Sequence, residues 1–239
     1  MNAGAKGTLH LIPVTLGGDD ARAALPSATL EIVTTLDYFI VENEKNARRF
    51  LKNVPHPRPL LQLQFELFDK SGDAARAMRL LHPLDTGRSA GVLSEAGCPG
   101  IADPGALLVE AAHRMELRVV PHVGPSSLLL ALMASGFNGQ RFAFHGYLPV
   151  PKDQCRNAIA RLERESRASD MTQIFIETPH RNDVLLQTLL ETCDSKTRLC
   201  VASNLTLATE AVRSAPVSEW EKDKTELGRR PSVFLLYTR

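Results

Sequence analysis

Short apolar runs of strand length alternate with stretches of helical periodicity, and this alternation limits the fold more than any other feature of the chain. Leu9 to Thr15, Tyr38 to Glu42, Gly91 to Ser94 and Leu117 to Val123 read as strands, with Leu60 to Phe65 as a weaker one. Helical stretches fall between them, at about Ala28 to Leu36, Glu44 to Leu51, Asp73 to Leu81 and Gly105 to Met115. That order predicts an α/β layer with mostly parallel strands. The helix from Gly105 is well specified: Leu107, Leu108, Ala111, Ala112 and Met115 recur at helical spacing. Asp103 is an N-cap residue type and Pro104 suits a first turn. Ser126 to Ala134 is apolar nearly all round, which predicts a buried helix stopped by Gly136.

The texture changes after Arg141. Phe142 to Pro151 is aromatic and Pro-rich and reads as a connector, followed by a charged helix from Lys152 to Arg167. A further cycle follows: strand Thr172 to Thr178, helix Arg181 to Cys193, strand Arg198 to Ser203, then strands Ala211 to Ser214 and Ser232 to Tyr237. These segments predict two domains, 1–145 and 146–239. No repeat or low-complexity tract interrupts them.

Composition narrows the function classes. The 239 residues are 44% hydrophobic and 23% charged, with 28 Lys and Arg against 27 Asp and Glu. A generic polyanion binder is more basic than this, although a neutral chain can carry a local basic patch. The longest apolar run, Leu128 to Ala134, has seven residues, far short of the ~20 that span a bilayer. Met1, Asn2, Ala3 and Gly4 carry no signal core. Cys98, Cys155, Cys193 and Cys200 form no CxxC pair, which predicts free thiols and neither a zinc site nor a disulfide frame. His10, His56, His82, His113, His122 and His145 show no metal-ligand spacing. A cytoplasmic protein without membrane or metal partners is the expectation.

Three loops follow predicted strands. The most informative is Ser94-Glu95-Ala96-Gly97-Cys98-Pro99-Gly100-Ile101-Ala102-Asp103-Pro104-Gly105, which opens a helix. In open α/β sheets, ligands sit beyond the carboxyl ends of strands. The loop has neither the G-x-G-x-x-G nor the G-x-x-x-x-G-K-[ST] pattern, so dinucleotide and P-loop readings fail. A long structural turn is the alternative. Pro121-His122-Val123-Gly124-Pro125-Ser126-Ser127 also joins a strand to a helix, where Ser126 is either a ligand contact or a cap. Gly17-Gly18-Asp19, after the first strand, is a common turn. If their strands are adjacent, the three loops share one cleft.

These segments, in this order, resemble the tetrapyrrole methylase superfamily, and within it the bacterial 16S ribosomal RNA 2′-O-methyltransferase branch. Leu93-Ser94-Glu95-Ala96-Gly97-Cys98-Pro99 with Asp103-Pro104-Gly105 is similar to that branch's S-D-A-G-T-P…D-P-G loop. Arg118-Val119-Val120-Pro121 with Gly124-Pro125-Ser126 is similar to R-V-V-P-x-P-G-P. Gly7 to Pro13, Arg141-Phe142, Gly146 to Pro149, Phe175 to Arg181 and Ala215-Pro216-Val217 resemble further family segments. The resemblance covers nearly the whole chain. It implies two α/β domains with S-adenosylmethionine (SAM) in the cleft between them, S-adenosylhomocysteine as product, and a homodimer. It also implies cofactor contacts at Pro13, Leu93, Ser94, Glu95, Ala96, Gly97, Cys98, Ile101, Ser126, Ser127, Glu177 and Leu205.

The departures lie on the substrate side. Gly17-Gly18 stands where the branch has Gly-Asn, Glu42-Asn43 where it has Glu-Asp, and Ser203-Asn204-Leu205-Thr206-Leu207 where it has R-E-L-T-K. Arg239 is reached without the extra C-terminal segment of some members. The expected substrate is RNA, with Glu42, His180 and Arg181 as candidate contacts. Methyl transfer from a sulfonium is an in-line displacement that depends on positioning, and an oxygen acceptor gains from a nearby base. Glu95 ranks first as that base, ahead of Glu42, Glu177 and His180. A tetrapyrrole-like small-molecule methyltransferase and a non-catalytic SAM-binding module are the rival readings. Arg156, Arg161, Arg164 and Arg167 make one helix basic, as a solvated face or as a phosphate-tracking surface.

Overall fold

The computed structural model describes residues 5–220, 222 and 225–239; Met1, Asn2, Ala3 and Gly4 lie outside the described residues. The chain divides into two compact units, residues 1–126 and 127–239.

The first unit runs β1 (Thr8–Ile12), α1 (Ala21–Ala24), α2 (Ser27–Thr35), β2 (Tyr38–Val41), α3 (Glu44–Lys52), β3 (Gln64–Leu67), α4 (Ala74–Asp85), β4 (Ala90–Leu93), α5 (Gly105–Arg114) and β5 (Arg118–Pro121). Its sheet has the order β3-β2-β4-β1-β5, and every pairing is parallel. Residues of α1, α2 and α3 pack with Ile12, Phe39, Val41 and Leu93 in one core. Residues of α4 and α5 pack with Leu9, Tyr38, Ile40, Ala90 and Val92 in another. The alternation of these residues along β1, β2 and β4 sends neighbours to opposite faces. Each face therefore carries its own helices. Every helix end needs partners for its first amides; Asn43 caps α3 by accepting from Asn46 N at 3.2 Å. The asparagine found where the resembling branch has aspartate thus keeps the capping oxygen.

The second unit runs α6 (Ser127–Ser135), β6 (Phe142–Tyr147), α7 (Lys152–Ser169), β7 (Thr172–Ile176), α8 (Asn182–Thr192), β8 (Arg198–Ser203), β9 (Ala211–Pro216), α9 (Val217–Trp220) and β10 (Ser232–Tyr237). The sheet order is β6-β7-β10-β8-β9. Only β6 and β7 pair in parallel; β10 is antiparallel to both β7 and β8, and β9 is antiparallel to β8. All six residues of β10 are buried. Phe234 and Leu236 pack with Ile159, Leu162, Leu185 and Leu189 of α7 and α8, and α6 packs on β8, β9 and β10.

Several expectations change. The sequence put the division at 145/146, whereas the compact units divide at 126/127, because α6 and β6 pack on the second sheet. The helix expected to be buried all round has Leu129 51% and Met133 78% exposed; it covers only one face of a sheet, through Ala131, Leu132 and Ser135. Phe142 to Pro151 is not a connector throughout, since it holds edge strand β6, whose register slips between Phe144 and Tyr147. Leu60–Gln62 is a 3₁₀ turn, and β3 starts only at Gln64. Gly136 ends α6 with a left-handed φ of 69°, as the sequence predicts.

Candidate functional site

The strand order places a switch point between β1 and β4. The chain leaves β1 toward β2 on one side and leaves β4 toward β5 on the other. Loops at such a point part to opposite faces of the sheet, and ligands bind beyond the carboxyl ends of the strands there.

The loops after β4, β1 and β5, three adjacent strands, meet through specific contacts. Val14 N donates to Gly97 O at 2.9 Å, and Gly97 N donates back to Val14 O at 3.3 Å. Ser94 Oγ donates to Gly97 O at 2.8 Å. Cys98 Sγ donates to Pro125 O at 3.4 Å, and Thr29 Oγ1 of α2 donates to Val123 O at 2.8 Å. Gly97 has φ 73°, and a Cβ there would lie 3.3 Å from Pro125 O, so its lack of a side chain serves both the turn and the close approach. Gly124 is tighter still: a Cβ would lie 2.4 Å from Pro13 Cβ. The β4 loop closes on Asp103, whose Oδ1 accepts from Gly100 N at 2.6 Å and Gly105 N at 2.8 Å. Asp103, expected as the N-cap, therefore holds both the loop and the start of α5, but it sits one residue before the N-cap itself, which is Pro104.

The structure brings together Pro13, Leu93, Ser94, Glu95, Ala96, Gly97 and Cys98 around these loops, with Ile101 and Ser126 on the same two segments. Their availability differs. Pro13 and Leu93 are buried, and Leu93 belongs to the core under α1 to α3, so it can offer a ligand only its backbone. Glu95 and Ala96 are exposed, and Ile101 is 51% exposed. Burial and the Asp103 carboxylate push the Cys98 thiol up, which disfavours its thiolate.

The carboxylates gather at the same strand ends. Burial pushes Glu42 above the usual carboxylate range, as do the Asp103 and Glu95 charges, against a hydrogen bond from the Glu95 backbone and the Lys70 charge. Burial likewise raises Asp103, against its two amide hydrogen bonds. Glu95 Oε1 accepts from Asn46 Nδ2 at 3.0 Å. Asn46 lines a cavity of about 130 Å3 with Arg49 of α3, Asn53 at its C-cap, Gly17 and Gly18 of the β1 loop, and Glu95. Pockets for whole small molecules run to roughly 300–1,000 Å3, so this one fits a fragment of a ligand. The sequence reading missed these α3 residues. Their spacing of three and four, which puts them on one helix face, was the signal.

His10 and His122 were also missed as a pair. Nδ1 of one and Nε2 of the other lie 2.9 Å apart. His10 is pushed down to about 4 by burial first, then by the His122 and Arg118 charges. Among the described residues no group of three His, Cys, Asp or Glu could hold a metal ion, and no helix is long and apolar enough to cross a membrane. All four cysteines are free thiols.

In the second unit, Glu177 and Leu205 follow β7 and β8, and lie at the same end of the sheet, where Ser232 pairs with Ser203 and Val233 with Ile176. Glu177 Oε1 accepts from Thr178 N at 2.7 Å, and Oε2 lies 3.3 Å from Arg181 Nε. Arg181 is thus an ion-pair partner of Glu177, while His180 is exposed. Leu205 is buried between Asn204 and Thr206, which have φ of 51° and 71°. Asn tolerates this region and Thr pays for it; Thr206 N donates to Glu210 Oε2 at 2.7 Å, which holds the turn. Ser127 opens α6.

No family model matches the chain. The ribosomal RNA small subunit methyltransferase I of Xylella fastidiosa (strain Temecula1) is 35% identical over 208 residues, covering 86% of this chain and 71% of that protein. The chain belongs to the ribosomal RNA small subunit methyltransferase I family. The Escherichia coli O157:H7 member is 30% identical over 235 residues, covering 97% of this chain and 78% of its own. The chain is therefore a methyltransferase. Solved tetrapyrrole methylases share the fold: the methyltransferase CobJ has a TM-score of 0.63 at 17% identity, covering 98% of this chain and 95% of that one. The uroporphyrin-III C-methyltransferase of Thermus thermophilus, solved with S-adenosylhomocysteine, has a TM-score of 0.59 at 17% identity, covering 97% of each chain. These neighbours match the two-sheet α/β architecture that the family's members are expected to share.

Proposed function

We propose that this chain transfers a methyl group from S-adenosylmethionine to the RNA of the small ribosomal subunit, at a ribose 2′-hydroxyl. The observation that carries the reading is the meeting of three strand-end loops at the switch point of the first sheet, in a chain of this family. Ser94, Glu95, Ala96, Gly97, Cys98, Ile101 and Ser126, with Pro13 and the Leu93 backbone, are the proposed cofactor contacts of the first unit. Ser127, Glu177 and Leu205 are those of the second. The residues fit such a ligand: exposed Ile101 offers apolar surface to an adenine ring, and the Glu42, Glu95 and Asp103 carboxylates favour a cation. The sulfonium supplies an already activated methyl group.

The chain's own work is to bind, orient and take a proton. Glu95, exposed and held by Asn46, is the proposed base for the acceptor hydroxyl, with Glu42 beside it as a substrate contact. His180 and Arg181 are proposed to face RNA from the second unit. A cytoplasmic homodimer fits this role. The test is transfer of labelled methyl groups from S-adenosylmethionine to small-subunit ribosomal RNA. Loss of a general base lowers kcat by about 10²–10⁴, so Glu95→Gln, which keeps an oxygen for the cofactor but loses the charge, is expected to lower kcat by more than it lowers cofactor affinity. Absence of label on ribose in RNA treated with the unaltered protein refutes the acceptor.

A further inference from the structure

The second unit carries a concavity of about 420 Å3 that no step of the proposed reaction uses. Arg167 from α7, Lys196 just before β8, Arg198 at its start, and Arg239 after β10 line it together with Asp194 and Tyr237. All four cations are exposed. Among the described residues, none of the four makes an ion pair within 4 Å. The cations earlier on α7 differ: Lys152 and Arg156 lie 3.2 and 2.5 Å from Glu191, and Arg161 lies 2.7 Å from Glu165. A chain with a net charge of only +1 thus gathers four cations at one place, of which Arg239 donates from Nε to the Tyr237 hydroxyl oxygen at 2.9 Å and feels the Asp170 charge. Three carboxylates nearby offset part of this charge against the four cations: Asp194 accepts from Lys196 N at 2.9 Å, Glu163 accepts from Asp194 N at 2.8 Å, and the Asp170 carboxylate accepts from the Tyr237 hydroxyl and from Asn138.

Two of the guanidiniums are held in place. Arg198 lies 4.8 Å from the Phe137 ring centroid, Arg239 lies 5.7 Å from that of Tyr237, and the two rings stack at 5.5 Å. Stacking uses the face of a guanidinium and leaves edge N–H groups for an acceptor. Planar, pre-oriented N–H forks suit phosphate oxygens. The concavity lies at the end of the second sheet where Tyr237 pairs with Arg198, opposite the end where Ser232 pairs with Ser203. Five strand steps separate those ends, about 17 Å at ~3.4 Å per residue.

We infer that this concavity is a separate RNA-contact surface, which grips phosphates of the substrate strand away from the reacting nucleotide. The inference rests on the proposed RNA substrate. It assigns binding energy for RNA to residues that do not touch the cofactor.

The test is binding of purified small-subunit ribosomal RNA across a salt series, alongside methyl transfer. In log affinity against log salt, each phosphate contact contributes a slope of about 0.7–0.9. Arg167→Ala/Lys196→Ala, which removes two exposed side chains that make no ion pair within 4 Å, is expected to flatten the slope by about 1.4–1.8. It should raise KM for RNA several-fold and leave kcat, cofactor affinity and Tm unchanged. Arg167→Lys/Lys196→Arg should keep the original slope, as should Arg156→Ala/Arg161→Ala, whose cations are already paired. An unchanged slope in the alanine pair, with methylation of RNA by the unaltered protein intact, overturns the surface alone. Equal flattening in the Arg156/Arg161 variant also overturns it, because net charge then explains the effect. Failure of the unaltered protein to bind or methylate the RNA overturns the RNA reading and this surface with it.

Discussion

Replacing Gly124 with alanine tests whether loop contact in the first unit builds the cofactor site. The new Cβ would sit 2.4 Å from Pro13 Cβ, 2.7 Å from Pro13 Cγ and 2.8 Å from Leu25 Cδ2. Carbon atoms rest at about 3.5–4.0 Å, so the β5 loop must retreat by about 1 Å or Pro13 must move. Gly124 has no positive φ, so the backbone itself accepts alanine and the whole effect is steric. Overpacking of this kind costs about 1–3 kcal/mol. At about 2–4 °C per kcal/mol for a chain of this size, Tm should fall by about 2–12 °C. Cofactor affinity, read by titration calorimetry, should fall about tenfold or more, since Pro125 and Ser126 move with the loop. Gly139→Ala is the control, because nothing lies within 4 Å of its Cβ. A Gly124→Ala protein with unchanged Tm and unchanged affinity for S-adenosylmethionine would refute the reasoning.

Gly97→Ala adds left-handed strain of about 1–2 kcal/mol to contacts of 3.2 and 3.3 Å, and calorimetric melting should show a loss of at least that size. Asp103→Ala strips the acceptor from two amides and should cost about 1–2 kcal/mol; Asp103→Asn, which keeps an acceptor oxygen, should cost less in the same urea titration. The folded value of His10, about 4, lies below its unfolded 6.5, so the unfolded chain binds more protons between those limits. Its contribution is fully present above about 6.5 and is lost as pH falls toward 4. The urea midpoint should therefore drop from pH 7 to pH 4.5, and His10→Asn should flatten that drop. Leu236→Ala, at a fully buried site in β10, should cost about 2–5 kcal/mol by the same assay.

What the sequence disclosed depended on how each element meets solvent. Arg198–Ser203 and Ser232–Tyr237 were readable to the residue because both strands are buried almost throughout and show as unbroken apolar runs. Strand β6 hid because an edge strand with slipped register keeps neither a continuous run nor an alternation. Leu60 and Leu61 misled in the other direction: Leu61 is apolar yet 92% exposed, so the run marks a turn. Helices α1 and α9, with four residues each, are too short to show a period. At the site, contiguous loops were legible because their glycines and prolines sit in order along the chain. The His10–His122 pair, 112 residues apart, and the cations at 167, 196, 198 and 239 were not, since only folding brings them together.

The place of β10 has a consequence for synthesis. The first unit completes its sheet with β5, before residue 126, so all its strands are in hand while the rest of the chain is still emerging. The second must wait. Its middle strand comes last in chain order, and until it arrives β6-β7 and β8-β9 are two ribbons with unpaired edges. Such edges invite pairing with other chains. A nascent chain stalled after β9 should thus present a first unit that has all its strands, attached to an aggregation-prone second one, and the interval before the β10 codons are read is when a chaperone would matter most.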